Sequence, residues 1–106
     1  MPVMLTYRHP GLTRADYDAV RAEIGWDRSP PSGAIFHAIT FDEEGATEVN
    51  VFETEDSWNS YLITRVTPVV DARGIKLLPP RVEQLHSVAV GVASNAFLVK
   101  GETQPA

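Results

Sequence analysis

Residues 49–62, VNVFETEDSWNSYL, decide the fold. Val49 and Val51 alternate with polar neighbours as a strand does, and the alternation stops at Glu53-Thr54. Thr54 can cap a helix, and Glu55 and Asp56 complement the positive end of its dipole. Trp58, Tyr61, Leu62, Arg65, Val66 and Val69 then fall at helical spacing on one stripe. A strand therefore hands over to a capped helix at this corner, and Trp58 is the first residue on the buried side.

Upstream, ATEVNVFE is the return arm of a hairpin whose turn is DEEG, residues 42–45, and whose first arm is GAIFHAITF. Ile35, His37, Ile39 and Phe41 read as one face of that arm, and Ala34, Phe36, Ala38 and Thr40 as the other. Both faces are mostly apolar, which predicts a central strand covered on both sides. The loop DRSPPSG precedes it, since two prolines and a glycine cannot continue a helix.

The segment LTRADYDAVRAEIGW carries both helix ends. Thr13 caps it with Asp16 three residues on, Leu12 and Tyr17 form a hydrophobic staple, and Gly25 closes it with Trp26 packing back. Tyr17, Val20 and Ile24 make the apolar stripe, leaving Arg14, Asp18, Arg21 and Glu23 for solvent. VMLTYRH, residues 3–9, is a strand ending at the His9-Pro10-Gly11 turn, which places His9 in water. In the second helix Pro68 forces a kink or restart with Thr67 as a local cap, and Gly74 ends it. RVEQLHSVAV is the last strand. The order β-α-β-β-α-β predicts an α+β, ferredoxin-like domain: a four-stranded antiparallel sheet with two helices on one face. The domain covers 1–91, and 92–106 is a tail that packs through its apolar patch at 96–99 before fraying.

With 43% hydrophobic and 22% charged residues, the chain has the balance of an ordinary globular domain. No apolar run spans a bilayer, and no basic segment precedes a long apolar core, so neither a membrane segment nor a signal peptide is expected. A cytoplasmic location follows as the default. Net charge is −5 and the nine Lys and Arg are scattered, which disfavours nucleic acid. Zero cysteines exclude thiolate chemistry, three dispersed histidines lack metal-ligand spacing, and no glycine-rich phosphate loop is present. No cofactor and no metal are expected.

Three stretches, LTRADYDAV, PPSGAIFHAITF and VNVFETEDSWNSYL, followed by the TPVV break, resemble the dimeric α/β-barrel proteins related to antibiotic biosynthesis monooxygenases. The resemblance spans about residues 3–90 and is strongest to small uncharacterised proteins of high-GC bacteria, in which the position of Phe52 is often tryptophan. It implies a homodimer closed sheet against sheet and a pocket between sheet and helices in each subunit. Some members of that group oxidise aromatic substrates without metal or flavin, and some degrade haem. The bare second face of the 34–41 strand agrees with such a dimer.

Family enzymes tend to set an Asn or His on a strand beside a Trp on the second helix, and the positions here that can match are His37, Asn50, His86 and Trp58. Trp58 is either a helix-to-sheet anchor or a pocket wall, with the anchor the weightier role. His37 among Ile35, Ile39 and Phe41 is either hydrogen-bonded in the core or faces a pocket where it moves a proton. Asn50 is either solvated or holds a partner across the sheet, His86 is structural or at the dimer interface, and each is otherwise a polar contact of the same pocket. Tyr7, Phe52, Tyr61 and Arg65 can line it, Arg65 by pairing with a substrate anion or by snorkelling at the helix edge. Two functions compete. One is a cofactor-independent monooxygenase acting on an apolar or aromatic small molecule, with His37 or Asn50 orienting or deprotonating it. The other is a non-catalytic small-ligand carrier or stress-associated dimer. Haem degradation is a distant third.

Overall fold

The computed structural model describes residues 1–91. Its elements run β1 Val3–Pro10, α1 Arg14–Ile24, β2 Ala34–Asp42, β3 Gly45–Phe52, α2 Glu55–Tyr61, a π-helical turn Leu62–Val66, α3 Thr67–Ala72 and β4 Arg81–Gln84. The strands form one antiparallel sheet in the order β2-β3-β1-β4. This is the ferredoxin-like α+β arrangement. The apolar patch at 96–99 lies outside the described residues.

Short-range chemistry sets the helix ends. Thr13 accepts a hydrogen bond from the Asp16 amide at 3.1 Å, and Gly25 takes the left-handed conformation with φ 79° to return its N–H to the Arg21 carbonyl. Thr54 and Ser57 form a reciprocal capping box, with Ser57 N–H donating to Thr54 Oγ1 at 3.0 Å and Thr54 N–H to Ser57 Oγ at 3.3 Å.

The core is one aromatic-rich cluster on the helix side of the sheet. Val3, Leu5 and Tyr7 of β1, Phe52 of β3, and Trp58 and Tyr61 of α2 are buried there, with Ile24, Trp26, Leu62 and Val66 packed against them. Trp58 meets Phe52 edge-on at 5.2 Å between ring centroids, and its Nε1–H donates to Tyr7 Oη at 3.2 Å.

Four features differ from what the sequence predicts. Strand β2 is an edge strand, with β1 and β3 in the centre. Its second face is open, Phe36 being 47% exposed. The second helix restarts as α3 at Thr67 with Pro68 in its first turn, but Thr67 is not its cap, which falls at Val66. The missing N–H and the proline ring are absorbed by the π turn, where the Thr67 amide reaches back to the Leu62 carbonyl. The extra residue in that turn rotates the following stripe, so Val70 is the buried valine of α3. The last strand stops at Gln84. Among the described residues, the Leu85 amide, bonded to the Pro2 carbonyl at 2.9 Å, extends its pairing.

His9 also departs from its predicted place in water. Strand β1 runs through it to Pro10, pairing His9 with Ala46 and Pro10 with Gly45. A side chain at Gly45, where φ is 148°, would place its Cβ 2.2 Å from the His9 carbonyl oxygen. The bare glycine lets the hairpin close over the end of β1, and His9 ends 7% exposed.

Candidate functional site

A β-bulge decides what the sheet presents to the helices. Ala34 pairs with Phe52, but Phe36 pairs with Val51 and His37 with Asn50, so one residue is added between Ala34 and Phe36. Without that addition His37 would pair with Val49 and point to the open face. With it, His37, Ile39 and Phe41 join Ala34 on the helix side. The inward row of β3 is then Ala46, Glu48, Asn50 and Phe52, and that of β1 is Val3, Leu5, Tyr7 and His9.

These rows set a polar strip into an otherwise apolar chamber. His9 Nε2 lies 2.7 Å from Glu48 Oε1, and Asn50 Nδ2 donates to Glu48 Oε2 at 2.8 Å. Asn50 Oδ1 is 2.8 Å from His37 Nδ1, and His37 Nε2 is 2.6 Å from Tyr17 Oη. Arg21 Nη1 donates to the same Tyr17 oxygen at 2.8 Å, while its Nη2 is held by Asp27 Oδ1 at 2.8 Å. Asn50 is 1% exposed, and no buried side-chain nitrogen or oxygen among the described residues lacks a partner.

The two ends of this chain fix its direction. An ionised Glu48 only accepts and Arg21 only donates. Asn50 must therefore turn its amide nitrogen to Glu48 and its oxygen to His37. With one proton on the ring, His37 carries it on Nδ1, donates to Asn50 and accepts the Tyr17 hydroxyl proton at Nε2. Protons thus point from Arg21 through Tyr17, His37 and Asn50 toward Glu48.

Electrostatics support an ionised anchor. Burial alone pushes the Glu48 carboxyl up, but the His9 hydrogen bond, the attraction of His37 when its ring is protonated and the Asn50 amide outweigh it and hold it below its ordinary value. Tyr17 is raised by burial, with Arg21 pulling in the opposite direction. Burial also disfavours the charge on Arg21, yet Asp27 and Tyr17 more than restore it, so the guanidinium stays cationic. Burial raises Tyr7 and, more strongly, Tyr61.

The strip opens on a cavity of about 80 Å³ between the sheet and the helices. Tyr7, Trp58 and Tyr61 line it with His37 and Asn50, and Val20, Ile24, Leu62 and Val66 supply apolar wall. Trp58 is both anchor and wall. Phe52 is 0% exposed and belongs to the core behind Trp58. Arg65 donates to the Ile24 carbonyl at 2.8 Å and lies over the Tyr61 ring, tying the π turn to the end of α1. His86 lies beyond β4 on the exposed segment, away from the cavity wall. Among the described residues no group of three or more His, Asp or Glu is placed to hold a metal ion.

Tyr17, Arg21, Glu48 and His9 are cavity residues that the sequence reading did not single out. Arg21 reads as solvent-facing from the helical stripe alone, but Asp27, just past the helix, bends it back over Tyr17. Glu48 had one signal: it shares strand parity with Phe52, so burying Phe52 turns Glu48 inward as well.

No protein-family model and no curated protein matches the sequence. Solved structures do match. SnoaB, a cofactor-independent oxygenase from Streptomyces nogalater, aligns with TM-score 0.59 at 12% identity over 82% of this chain and 94% of its own. A putative antibiotic biosynthesis monooxygenase from Chloroflexus aurantiacus aligns with TM-score 0.55 at 13% identity, covering 86% of this chain and 96% of its own. One from Deinococcus radiodurans gives TM-score 0.55 at 12% identity over 87% and 98%. The described chain is built on the ferredoxin-like fold of the antibiotic biosynthesis monooxygenase-like proteins.

Proposed function

We propose that the protein is an oxygenase that works without metal or flavin on a small aromatic molecule bearing an acidic hydroxyl. The observation that carries this reading is the buried chain Glu48–Asn50–His37–Tyr17, set beside an aromatic-walled cavity. His37 is the proton acceptor, kept in one tautomer by Asn50, with Glu48 3.5 Å from Nδ1 to offset the charge it gains. A deprotonated, electron-rich ring can pass its own electrons to dioxygen, so such a reaction needs no resident redox group. Similarity in fold to a cofactor-independent oxygenase supports the reading.

The cavity selects for size. At about 80 Å³ it lies well below the roughly 300–1,000 Å³ of drug-sized ligand sites, which favours a single ring over a fused polycycle. A binding protein without turnover would be subject to the same size limit.

The functional unit is a homodimer closed sheet against sheet. The open face carries the apolar row Phe36, Val51 and Met4 beside Ala38 and Val49, with Arg8, Thr40 and Thr47 at its far end.

The test is oxygen uptake by the metal-free protein with a panel of monocyclic and bicyclic hydroxyarenes, with product masses read alongside. Uptake that requires the protein and is lost in His37→Ala supports the oxygenase. Binding without uptake supports the carrier, and neither binding nor uptake sinks both readings. Mass in solution tests the dimer, and a stable monomer would remove it.

A further inference from the structure

We infer that Tyr17 is the residue that meets the substrate's acidic hydroxyl and relays its proton to His37. This rests on the proposed aromatic-binding reading of the cavity and names the contact through which it acts.

Neither ring nitrogen of His37 is open to a ligand. Nδ1 is committed to Asn50 Oδ1 at 2.8 Å, and Nε2 is covered by the Tyr17 hydroxyl at 2.6 Å, with the two rings stacked at an interplanar angle of 11°. Asn50 is 1% exposed and already bonded at both ends, its oxygen to His37 and its nitrogen to Glu48. The Tyr17 oxygen is different. It gives its proton to His37 and takes one hydrogen bond from Arg21, which leaves one lone pair unused by any described residue. Tyr17 also lines the cavity.

The transfer balances. The substrate O–H bond breaks and its proton joins Tyr17 Oη, while the original Tyr17 proton moves to His37 Nε2. Substrate anion and imidazolium result, and tyrosine ends with the proton count it began with. Every hydrogen bond survives in the new state. Imidazolium Nε2–H and Arg21 Nη1–H both donate to the Tyr17 oxygen, and the new Tyr17 O–H donates to the substrate anion. Tyrosinate need not accumulate, which suits a phenol seated among apolar walls.

The probe is 4-nitrophenol, a single ring whose ionisation is visible by absorbance. Wild-type protein is expected to bind it and hold it ionised at lower pH than in free solution, by about one pK unit or tenfold in phenolate fraction. Tyr17→Phe keeps the ring and is expected to bind the probe with that shift abolished, as is His37→Gln. Undiminished ionisation in Tyr17→Phe overturns the relay and leaves the pocket standing. Binding by wild type without ionisation does the same. No binding by wild type removes the pocket reading, and the relay with it. A ligand-free measurement reports independently on the chain's direction. Nitrogen NMR of His37 should find the proton on Nδ1, and an Nε2–H tautomer overturns the inference whatever the variants do.

Discussion

Asn50 and His37 face each other across β3 and β2, with Asn50 Oδ1 2.8 Å from His37 Nδ1. The asparagine is 1% exposed and its other end holds Glu48, so it is the hinge of the whole polar strip. Asn50→Ala leaves His37 Nδ1 and Glu48 Oε2 each short of a partner. It should cost about 1–3 kcal/mol, checked by urea unfolding at neutral pH. Asn50→Asp keeps the shape and still accepts from His37 Nδ1, but it replaces the amide donor to Glu48 with a second carboxylate and should destabilise the fold at neutral pH more than at acid pH.

Acid should dismantle the strip. Glu48 is held below its ordinary value of 4.5, so in that range the unfolded chain binds the extra proton more readily. Its contribution is complete above the unfolded value and is lost as pH falls through the folded one. Urea midpoints measured between about pH 3 and 6 should show wild type converging on Glu48→Gln toward the acid end. Parallel curves for the two proteins would contradict this.

Base should act through the tyrosines. Burial raises Tyr61, Tyr17 and Tyr7 above their ordinary value of 10.0, so the folded state holds their protons where the unfolded chain releases them. That contribution is full below the unfolded value and is lost as pH rises toward the folded ones. Tyr61→Phe should shallow the alkaline loss of stability, read by circular dichroism against pH.

Trp58 separates packing from hydrogen bonding. Trp58→Ala opens a hole against Phe52, Tyr7 and Tyr61 and should cost about 3–5 kcal/mol. Trp58→Phe retains most of the contact and loses the donor to Tyr7, a loss of about 1 kcal/mol. Equal losses for the two variants would mean that the hydrogen bond, and not the buried ring, is what fastens the helix.

Gly45→Ala tests the hairpin that buries His9. With φ at 148° and a Cβ that would sit 2.2 Å from the His9 oxygen, alanine must push the strands apart. More than about 1 kcal/mol should be lost, and His9 should become more accessible to diethyl pyrocarbonate.

Much of the scaffold is legible in the sequence because its causes are local. Thr13, Gly25 and Thr54 act on amides or carbonyls within about one helical turn, and the apolar spacing after each cap says which side is buried. The element order then leaves few ways to build the sheet. Trp58 as an anchor belongs to this class, since it follows the corner where strand becomes helix. What tertiary structure decided is the site. One bulged residue before His37 chose its face, and strand order put β2 at the edge. Closure over Gly45 buried His9, and a return contact from Asp27 drew Arg21 onto Tyr17. Each of these depends on a partner from another strand or beyond the helix end, and strand alternation read along one segment carries no information about an insertion in its pairing.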